Sequence, residues 1–432
     1  MSLLLSLRKR LILPVLLAAF PSLVWSQIAA APQANEYPVS GPLAGDQVHS
    51  SLSLNQNGGY LVWEENGSAR TGSEIKAIRL NGSLTKIANF TINKVSKGDQ
   101  VNPEVQLLAN GDAIFVWQSY GLGNADIYAR ILKDNGSFAS ADLRVNSDSR
   151  LKTSYAKDQQ SAPAVCALQS GDAFVVWQSL GQDGNLMGIY GKIVPAVGRM
   201  ATNEILINQT TRFNQRSPSV TTLANGNVVV TWVSEMQRFT PPIFSGGVTA
   251  SGGSMDIYAR IFSPNGTALT GELLINSGNN VCASPSVAGL PNGDFTVVWA
   301  EKDLLSRSNS WDIVGRSFSS AGVANAGDAK INTTVYGDQY RPKVTAIGND
   351  CAVVWASLGQ DGSREGVFGR LLQAGNLPSG DEFQVNNTTV SQQIHPATAS
   401  SGSDRFLVSW SSYVRGSSFD LFARAFTLNQ QP

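Results

Sequence analysis

The two histidines of this chain stand at the same position of a repeated phrase. His49 lies in Gln-Val-His-Ser and His395 lies in Gln-Ile-His-Pro. Two imidazoles that come together are ligands that a transition metal accepts. Two ligands alone do not define a metal site, and two hydrogen-bonded or solvated side chains are the alternative. The sequence predicts that the two rings lie close together and leaves metal binding open.

A glutamine recurs three residues before the Pro, or Ser50 in the first repeat, that opens a predicted strand. The six glutamines are Gln47, Gln100, Gln160, Gln215, Gln339 and Gln393, and Cys282 takes this position in the fifth repeat. Side chains at one repeat position form a ring if the repeats are arranged around an axis. The amides are therefore candidates for a polar rim that binds sugar, an ion or water. The alternative is that each amide caps a loop or bonds to the neighbouring repeat.

Two identical loops of sequence Ser-Leu-Gly-Gln-Asp-Gly place Asp183 and Asp361 at equivalent positions. Calcium prefers oxygen ligands, so these carboxylates and nearby carbonyls are a candidate Ca²⁺ site. One carboxylate per loop supplies less charge than an EF-hand-type loop does, and an Asp-Gly turn used for its geometry is the alternative. No other cofactor is expected.

Seven tryptophans mark the repeat that must position these residues. They are Trp63, Trp117, Trp177, Trp232, Trp299, Trp355 and Trp410, and their spacing runs from 54 residues (63 to 117) to 67 (232 to 299). Each unit contains four short β-branched or aromatic runs separated by Asn-Gly turns or Gly-rich loops, which is typical of consecutive hairpins. Four antiparallel strands repeated radially describe a propeller blade. The sequence predicts an all-β, seven-bladed propeller, with the tryptophans buried between blades.

The N-terminal run Glu36-Tyr37-Pro38-Val39-Ser40 matches the fourth strand of later repeats, such as Glu382-Phe383-Gln384-Val385-Asn386. The last repeat ends without a fourth strand of its own. Pairing the two ends removes unpaired strand edges. We therefore predict one propeller domain over residues 36–432, closed by residues 36–40, after a short linker at 27–35.

Residues 1–26 have the features of a signal peptide. Arg8-Lys9-Arg10 precedes an apolar run, and Val24 and Ser26 are small side chains suited to cleavage after residue 26. The run is short for a membrane span and contains Pro14. We predict a secreted protein, extracellular, periplasmic or at the cell surface, without membrane insertion after cleavage; a retained anchor is the alternative.

Composition restricts the partners. The chain has 32 basic and 32 acidic residues, and loss of Arg8, Lys9 and Arg10 leaves 29 against 32, a net charge of −3. This balance gives no electrostatic reason to expect nucleic-acid binding.

The three cysteines, Cys166, Cys282 and Cys351, fall in three different repeats. We expect free thiols, with a Cys282–Cys351 bond as the alternative. We expect a monomer.

Aromatic side chains on predicted loops of one face are candidates for contact with a partner. They are Tyr120, Phe239, Trp311 and Tyr413, and aromatic residues suit both sugars and protein partners. Repeat-breaking acids after the tryptophans, Glu64, Glu65, Glu235 and Glu301, are candidates for glycoside cleavage, which needs only carboxylates. Exposed carboxylates without a special role are the alternative.

The phrase Val-Val-Trp-Gln-Ser (from Val175), Gly-Gln-Asp-Gly, Ile-Tyr-Ala-Arg and Glu-Phe-x-Val-Asn resembles the repeats of secreted bacterial propeller proteins, as in large adhesin-like or RTX-type surface proteins. The loops distantly resemble the Asp box of sialidases. The resemblance implies a surface-interaction role, and we expect a binding module for a glycan or another surface protein. A glycoside hydrolase or lyase on a propeller scaffold is the first alternative, and a structural spacer without a ligand is the second.

Overall fold

The computed structural model describes residues 28–67, 72–121, 123–147, 159–197, 203–237, 253–302, 310–375, 377–402 and 404–430. Within these ranges the secondary structure consists of 29 β-strands. No helix there has the length and the apolar character that crossing a membrane requires.

The strands form seven antiparallel sheets, which are the blades. The strands of blade 1 are β3 (Gln47–Asn55), β4 (Gly58–Glu65), β5 (Glu74–Asn81) and β6 (Lys86–Thr91). Those of blade 2 are β7 (Gln100–Leu107), β8 (Ala113–Ser119), β9 (Asp126–Leu132) and β10 (Leu143–Arg144). Those of blade 3 are β11 (Gln160–Ala167), β12 (Ala173–Leu180), β13 (Met187–Val194) and β14 (Ile205–Leu206). Those of blade 4 are β15 (Gln215–Thr222), β16 (Val228–Gln237), β17 (Gly253–Phe262) and β18 (Leu273–Leu274).

The remaining blades follow the same order. The strands of blade 5 are β19 (Val281–Gly289), β20 (Phe295–Lys302), β21 (Trp311–Phe318) and β22 (Ala329–Lys330). Those of blade 6 are β23 (Gln339–Ile347), β24 (Asp350–Leu358), β25 (Glu365–Gln373) and β26 (Leu377–Gln384). Blade 7 contains β27 (Gln393–Ser400), β28 (Arg405–Val414) and β29 (Ser418–Gln430), joined by β1 (Ile28–Pro32) and β2 (Tyr37–Pro38) from the N-terminus.

The first strand of each blade lies innermost and contacts the first strands of both neighbours, including β27 with β3 across the closure. These seven inner strands surround a central channel. We call the side on which they begin the upper face; the second strands end there too, as the pairing of Gln100 with Ser119 shows. The predicted seven-bladed architecture is confirmed.

The N-terminus closes the ring, as predicted. Tyr37 and Pro38 of β2 pair with Ala423 and Phe422 of β29. The predicted linker over 27–35 is wrong in part, because β1 pairs with the last residues of β29 from Ile28↔Gln430 to Pro32↔Phe426. The sequence pattern missed this strand because Ile-Ala-Ala-Ala-Pro has little alternation. The buried Ile28 side chain joins the core cluster between blades 6 and 7. Burial of this apolar side chain stabilises the attachment of β1.

The tryptophans fill the contacts between blades. All seven are at most 3% exposed, and the core divides into clusters that each join two neighbouring blades. One cluster packs Ile127, Ala129 and Val145 of blade 2 against Val175 and Trp177 of blade 3. The expectation of buried interblade tryptophans is therefore confirmed.

Polar contacts repeat with the same period. In blades 2 to 7 a basic residue late in the third strand donates to a carbonyl just after the fourth strand of the preceding blade, as when Arg260 Nη1 donates to the Ile207 oxygen at 2.8 Å. Arg79 of blade 1 instead donates to the Asp134 oxygen in blade 2. The acid that begins the fourth-strand pattern accepts from backbone N–H groups that follow the fourth strand of the preceding blade, as when Glu272 accepts from Gln209 and Thr210. Glu36 performs this role for blade 7, accepting from Asn387 and Thr388. The acid of the fourth-strand pattern thus links neighbouring blades by hydrogen bonds, a contact that we call the acid clasp.

All three cysteines are free and buried, so the preferred expectation of free thiols holds and the Cys282–Cys351 bond is absent. Burial raises the pKa of Cys166 and of Cys351 to about 12.

Candidate functional site at the mouth of the central channel

Every inner strand carries a bulge near the upper face. The pairing jumps from Val48↔Glu64 to Ser51↔Val62, so His49 and Ser50 together lie opposite Trp63. The same two-against-one arrangement recurs opposite each repeat tryptophan. A β-bulge re-aims a side chain and is a designed feature of a sheet. Here it turns one residue per blade toward the channel opening.

The first bulge residue of every blade has a left-handed backbone conformation. These residues, which we call the bulge ring, are His49, Asn102, Ala162, Ser217, Ser284, Arg341 and His395, with φ between 49° and 56°. A non-glycine residue in this region costs on the order of 1–3 kcal/mol. Because all seven blades carry it, the conformation belongs to the framework, and only the side chain it displays varies from blade to blade.

The variation is distributed unevenly around the ring. Blades 6, 7, 1 and 2 display arginine, two histidines and asparagine, whereas blades 3 to 5 display Ala162, Ser217 and Ser284. The small side chains leave a cavity of about 310 Å³ at the mouth, lined by the bulge ring and by the proline that follows in six blades. The side of the mouth formed by blades 6, 7, 1 and 2 therefore carries the large polar side chains, and the side formed by blades 3 to 5 carries small ones.

The predicted meeting of the two histidines is confirmed. The rings of His49 and His395 stack with centroids 4.3 Å apart and an angle of 26° between their planes. His49 Nδ1 lies 3.1 Å from Oε2 of Glu64. Burial lowers the pKa of His395 to about 2, with further contributions from His49 and Arg341, so this imidazole stays neutral. An imidazole held by a carboxylate is an arrangement suited to proton transfer or to hydrogen bonding with a ligand.

Glu64 also connects blade 1 to blade 2, because Oε2 accepts from the backbone N–H of Asn102 at 3.4 Å. The residue after the tryptophan plays the same part in the next two blades. Gln118 accepts from Ala162 N–H and Gln178 accepts from Ser217 N–H. The acid at position 64 therefore keeps a structural contact of the repeat and adds a negative charge beside His49.

The other acids near the tryptophans are engaged in the framework. Glu65 and Glu301 each accept from the indole N–H of the tryptophan two residues earlier. Glu235 accepts from Arg216 and Asn214; these bonds outweigh burial and lower its pKa, so it remains a carboxylate. Of the four acids weighed in the sequence, only Glu64 stands beside the mouth.

The predicted amide ring lies inside the blades instead of lining the channel. Gln47, Gln100, Gln160, Gln215, Gln339 and Gln393 are at most 3% exposed. The Oε1 atoms of Gln100, Gln160 and Gln215 accept from the tryptophan of their own blade at 2.8–3.0 Å. Several Nε2 atoms donate to loop carbonyls, as Gln393 does to Val390. The amides therefore cap loops and bind the tryptophan indoles. The expectation of an open, ligand-binding amide rim is wrong, because these side chains are buried and hydrogen-bonded within the blades.

The predicted aromatic contacts are spread over the upper face. Tyr120 and Tyr413 are 41% and 43% exposed, and Tyr413 packs edge-on against Phe419. Trp311 is half-buried below Lys302. No ring contact joins any two of the three within the described ranges, and Phe239 lies outside those ranges. These residues lie on the upper face at blades 2, 5 and 7, outside the lining of the mouth cavity, and they do not form one cluster.

The two Asp-Gly loops form turns. Asp183 accepts from Asn185 N–H and Asn208 Nδ2, and Asp361 accepts from Ser363 N–H and Asn386 Nδ2. They lie in blades 3 and 6 and cannot share an ion. No group of three or more His, Cys, Asp or Glu side chains in the described part of the chain is placed to hold a metal. Calcium, and a metal at His49 and His395, remain predictions from the sequence.

Sequence reasoning found His49 and His395 but missed Asn102 and Arg341 at the same repeat position, and Lys343 two residues beyond Arg341. The signal was present. The residue after the repeat proline is Ser or Ala in five blades, and the residue before it is Ser or Ala in three, so an arginine or lysine at either position departs from the pattern.

Comparisons with known proteins identify the fold. No family model matches the chain, and no curated protein matches it. An ulvan lyase of a new polysaccharide-lyase family has a TM-score of 0.54 and 10% identity, over 92% of this chain and 96% of that one. A protein of unknown function from Dyadobacter fermentans has a TM-score of 0.52 and 12% identity, over 76% and 95%. An α-L-arabinofuranosidase from Fusarium graminearum, in complex with an iminosugar inhibitor, has a TM-score of 0.50 and 13% identity, over 78% and 96%. At these identities the similarity shows a shared propeller fold.

Proposed function

We propose that this chain is a secreted or cell-surface glycan-binding propeller whose ligand site is the mouth of the central channel. The observation that carries the proposal is the uneven bulge ring. Seven bulges with the same backbone conformation surround a cavity of about 310 Å³, and the large polar, ring-bearing or charged side chains among them all lie on blades 6, 7, 1 and 2. A concave site with a few convergent polar groups is the usual form of a ligand pocket.

The chemistry of the mouth suits a sugar. His49 and Asn102 offer donors and acceptors at the rim, and hydroxyl groups of a glycan need both. Tyr120 and Tyr413 stand exposed on the same face. The similarity in fold to enzymes that act on polysaccharides is consistent with this ligand class. Secretion remains our prediction from residues 1–26.

The test is binding of the folded chain to a glycan array that includes neutral, uronate and sulfated oligosaccharides. The matched variant is H49S/N102S, because Ser217 and Ser284 show that serine accepts this backbone conformation. We expect the double variant to lose at least about tenfold in affinity, or about 1.4 kcal/mol. The control is K133Q, since Lys133 is an exposed residue in the turn after β9, on the opposite face. Absence of binding by the wild-type chain, or full binding by a folded H49S/N102S variant, would reject the proposal.

Polysaccharide cleavage is a second candidate, favoured by the His49–Glu64 contact of 3.1 Å beside the cavity. A carboxylate that orients an imidazole supports general-base chemistry. Substitution E64Q keeps the framework contact, because glutamine serves at the equivalent positions 118 and 178. An active enzyme would release reducing ends or an unsaturated product, and E64Q would lower that rate by about 10²-fold or more while binding persists. Binding without product formation would leave the chain as a binding module.

A further inference from the structure

We infer that the glycan recognised at the mouth is acidic and that Arg341 and Lys343 hold its carboxylate or sulfate group. This inference rests on the proposed glycan-binding function and specifies its substrate class. Arg341 belongs to the bulge ring, and Lys343 follows the proline of the same bulge; both side chains are exposed and line the cavity.

The two cations are uncommitted. The side chains of Arg341 and Lys343 form no hydrogen bond or ion pair with any residue in the described ranges. Elsewhere in the propeller the basic residues of the third strands donate hydrogen bonds to backbone carbonyls, as Arg424 does to Val385 and Ala34. Arg341 and Lys343 therefore differ from the repeated structural cations, because the fold does not require their charge.

The acids nearest the mouth, on blades 1 and 2, already accept hydrogen bonds from the protein. Glu64 Oε2 is held by His49 and by Asn102 N–H, and Glu104 Oε2 accepts from Ser51 Oγ at 2.6 Å. Glu104 occupies the position in blade 2 that Lys343 occupies in blade 6, and both line the mouth and the channel below it. The mouth is therefore polarised, with carboxylates on blades 1 and 2 and the two cations on blade 6.

Polarity within a concave site has a consequence for selectivity. Low-dielectric walls focus the field of a charge into a cleft, and a guanidinium binds a carboxylate or sulfate through two parallel hydrogen bonds. The small residue Ser284 lies in blade 5, beside blade 6, and Ser217 lies in blade 4, next to blade 5; they leave room for a sugar ring attached to that anion. A neutral glycan would gain only the hydroxyl contacts of the rim.

The test uses matched ligand pairs that differ in charge. They are polygalacturonate and its fully methyl-esterified form, and dextran sulfate and dextran, which separate a carboxylate from a sulfate. We expect at least one acidic member to bind at least about tenfold more tightly than its neutral partner, with the preference weakening as salt is added. The variant R341S/K343S takes its residues from equivalent positions of other blades, such as Ser217 and Ser219. It should lose the preference, while K133Q should retain it.

The outcomes distinguish this inference from the function on which it rests. If the wild-type chain binds neutral and acidic members equally, or if folded R341S/K343S keeps the preference, the inference is overturned and glycan binding stands. If the wild-type chain binds no member of the four polymers and no glycan on the array, both fail. The melting temperature of each variant establishes that it is folded.

Discussion

His49 and His395 stack across the junction where the chain closes on itself, with ring centroids 4.3 Å apart. The two residues are 346 positions apart in sequence (395 − 49) but belong to neighbouring blades. His49 has a carboxylate partner in Glu64, whereas His395 is mostly buried and its Nδ1 has no partner among the described residues. Two residues with the same repeat position and backbone conformation therefore have different environments, because only one blade supplies an acid.

Acid should destabilise the protein through His395. Its pKa is about 2 in the folded chain against an ordinary 6.5, chiefly because burial disfavours the charged ring. Below pH 6.5 the unfolded chain binds a proton that the folded chain does not, so the free energy of unfolding falls as pH falls from about 6.5 toward 2. The single group contributes up to about 2 kcal/mol between pH 7 and pH 5.

Urea denaturation of the wild type and of H395N at pH 7 and pH 5 measures this contribution. Asparagine occupies the equivalent position at residue 102, so the variant should fold. We expect the loss of stability between the two pH values to be smaller in H395N by about 1–2 kcal/mol. An equal loss in both proteins would show that the folded His395 takes up a proton as readily as the unfolded one.

The amide–indole hydrogen bond should be worth a measurable part of the stability. Trp177 Nε1 donates to Gln160 Oε1 at 2.8 Å, and the pair is buried. Q160M keeps the side-chain length and leaves the indole N–H without an acceptor, which costs about 1–3 kcal/mol. The control is Q169M in the same blade, because Gln169 is exposed; its effect should stay within about 0.5 kcal/mol. Equal urea midpoints for both variants would contradict this role.

The sequence predicted the architecture because the fold repeats. A feature that recurs around the ring can be read from its period, as Trp177 can from seven blades and the acid at position 272 from six. The closing strand at Tyr37–Pro38 followed from a missing copy. The direction of the glutamine side chains was not predictable, because a strand residue beside a bulge no longer obeys simple alternation. The register that places Gln160 toward Trp177 and away from the channel depends on that bulge.

The candidate site was only half predictable for a related reason. His49 and His395 drew attention by their rarity, whereas Arg341 is one basic residue among 32 and has no local signature. It stands out only when the seven blades are compared, because the six other blades present smaller side chains at the same bulge position. A repeat alignment that asks which residue departs from its column would have identified it.

The cysteines should be inert in the folded protein. All three are buried and free, and burial raises the pKa of Cys166 and Cys351 to about 12, which suppresses the reactive thiolate. A chromogenic disulfide reagent at pH 8 should therefore release almost no thiolate chromophore from the native chain, and three equivalents after addition of urea. Rapid reaction of one equivalent without denaturant would indicate that one of these thiols is accessible.

The two N-terminal strands should contribute unequally to closure of the ring. Removal of residues 1–33 deletes β1, including Ile28, but keeps Glu36 and β2. Removal of residues 1–40 also deletes β2 and the Glu36 clasp to Asn387 and Thr388. We expect the first truncation to fold with a lower melting temperature, because Ile28 leaves the cluster between blades 6 and 7. We expect the second to lose cooperative unfolding and to be cleaved rapidly by protease, because β29 becomes an exposed strand edge.

A chain beginning at residue 28 is the control for both truncations. If the chain beginning at residue 41 unfolds cooperatively at the control's melting temperature, closure through the N-terminus is not what stabilises the ring.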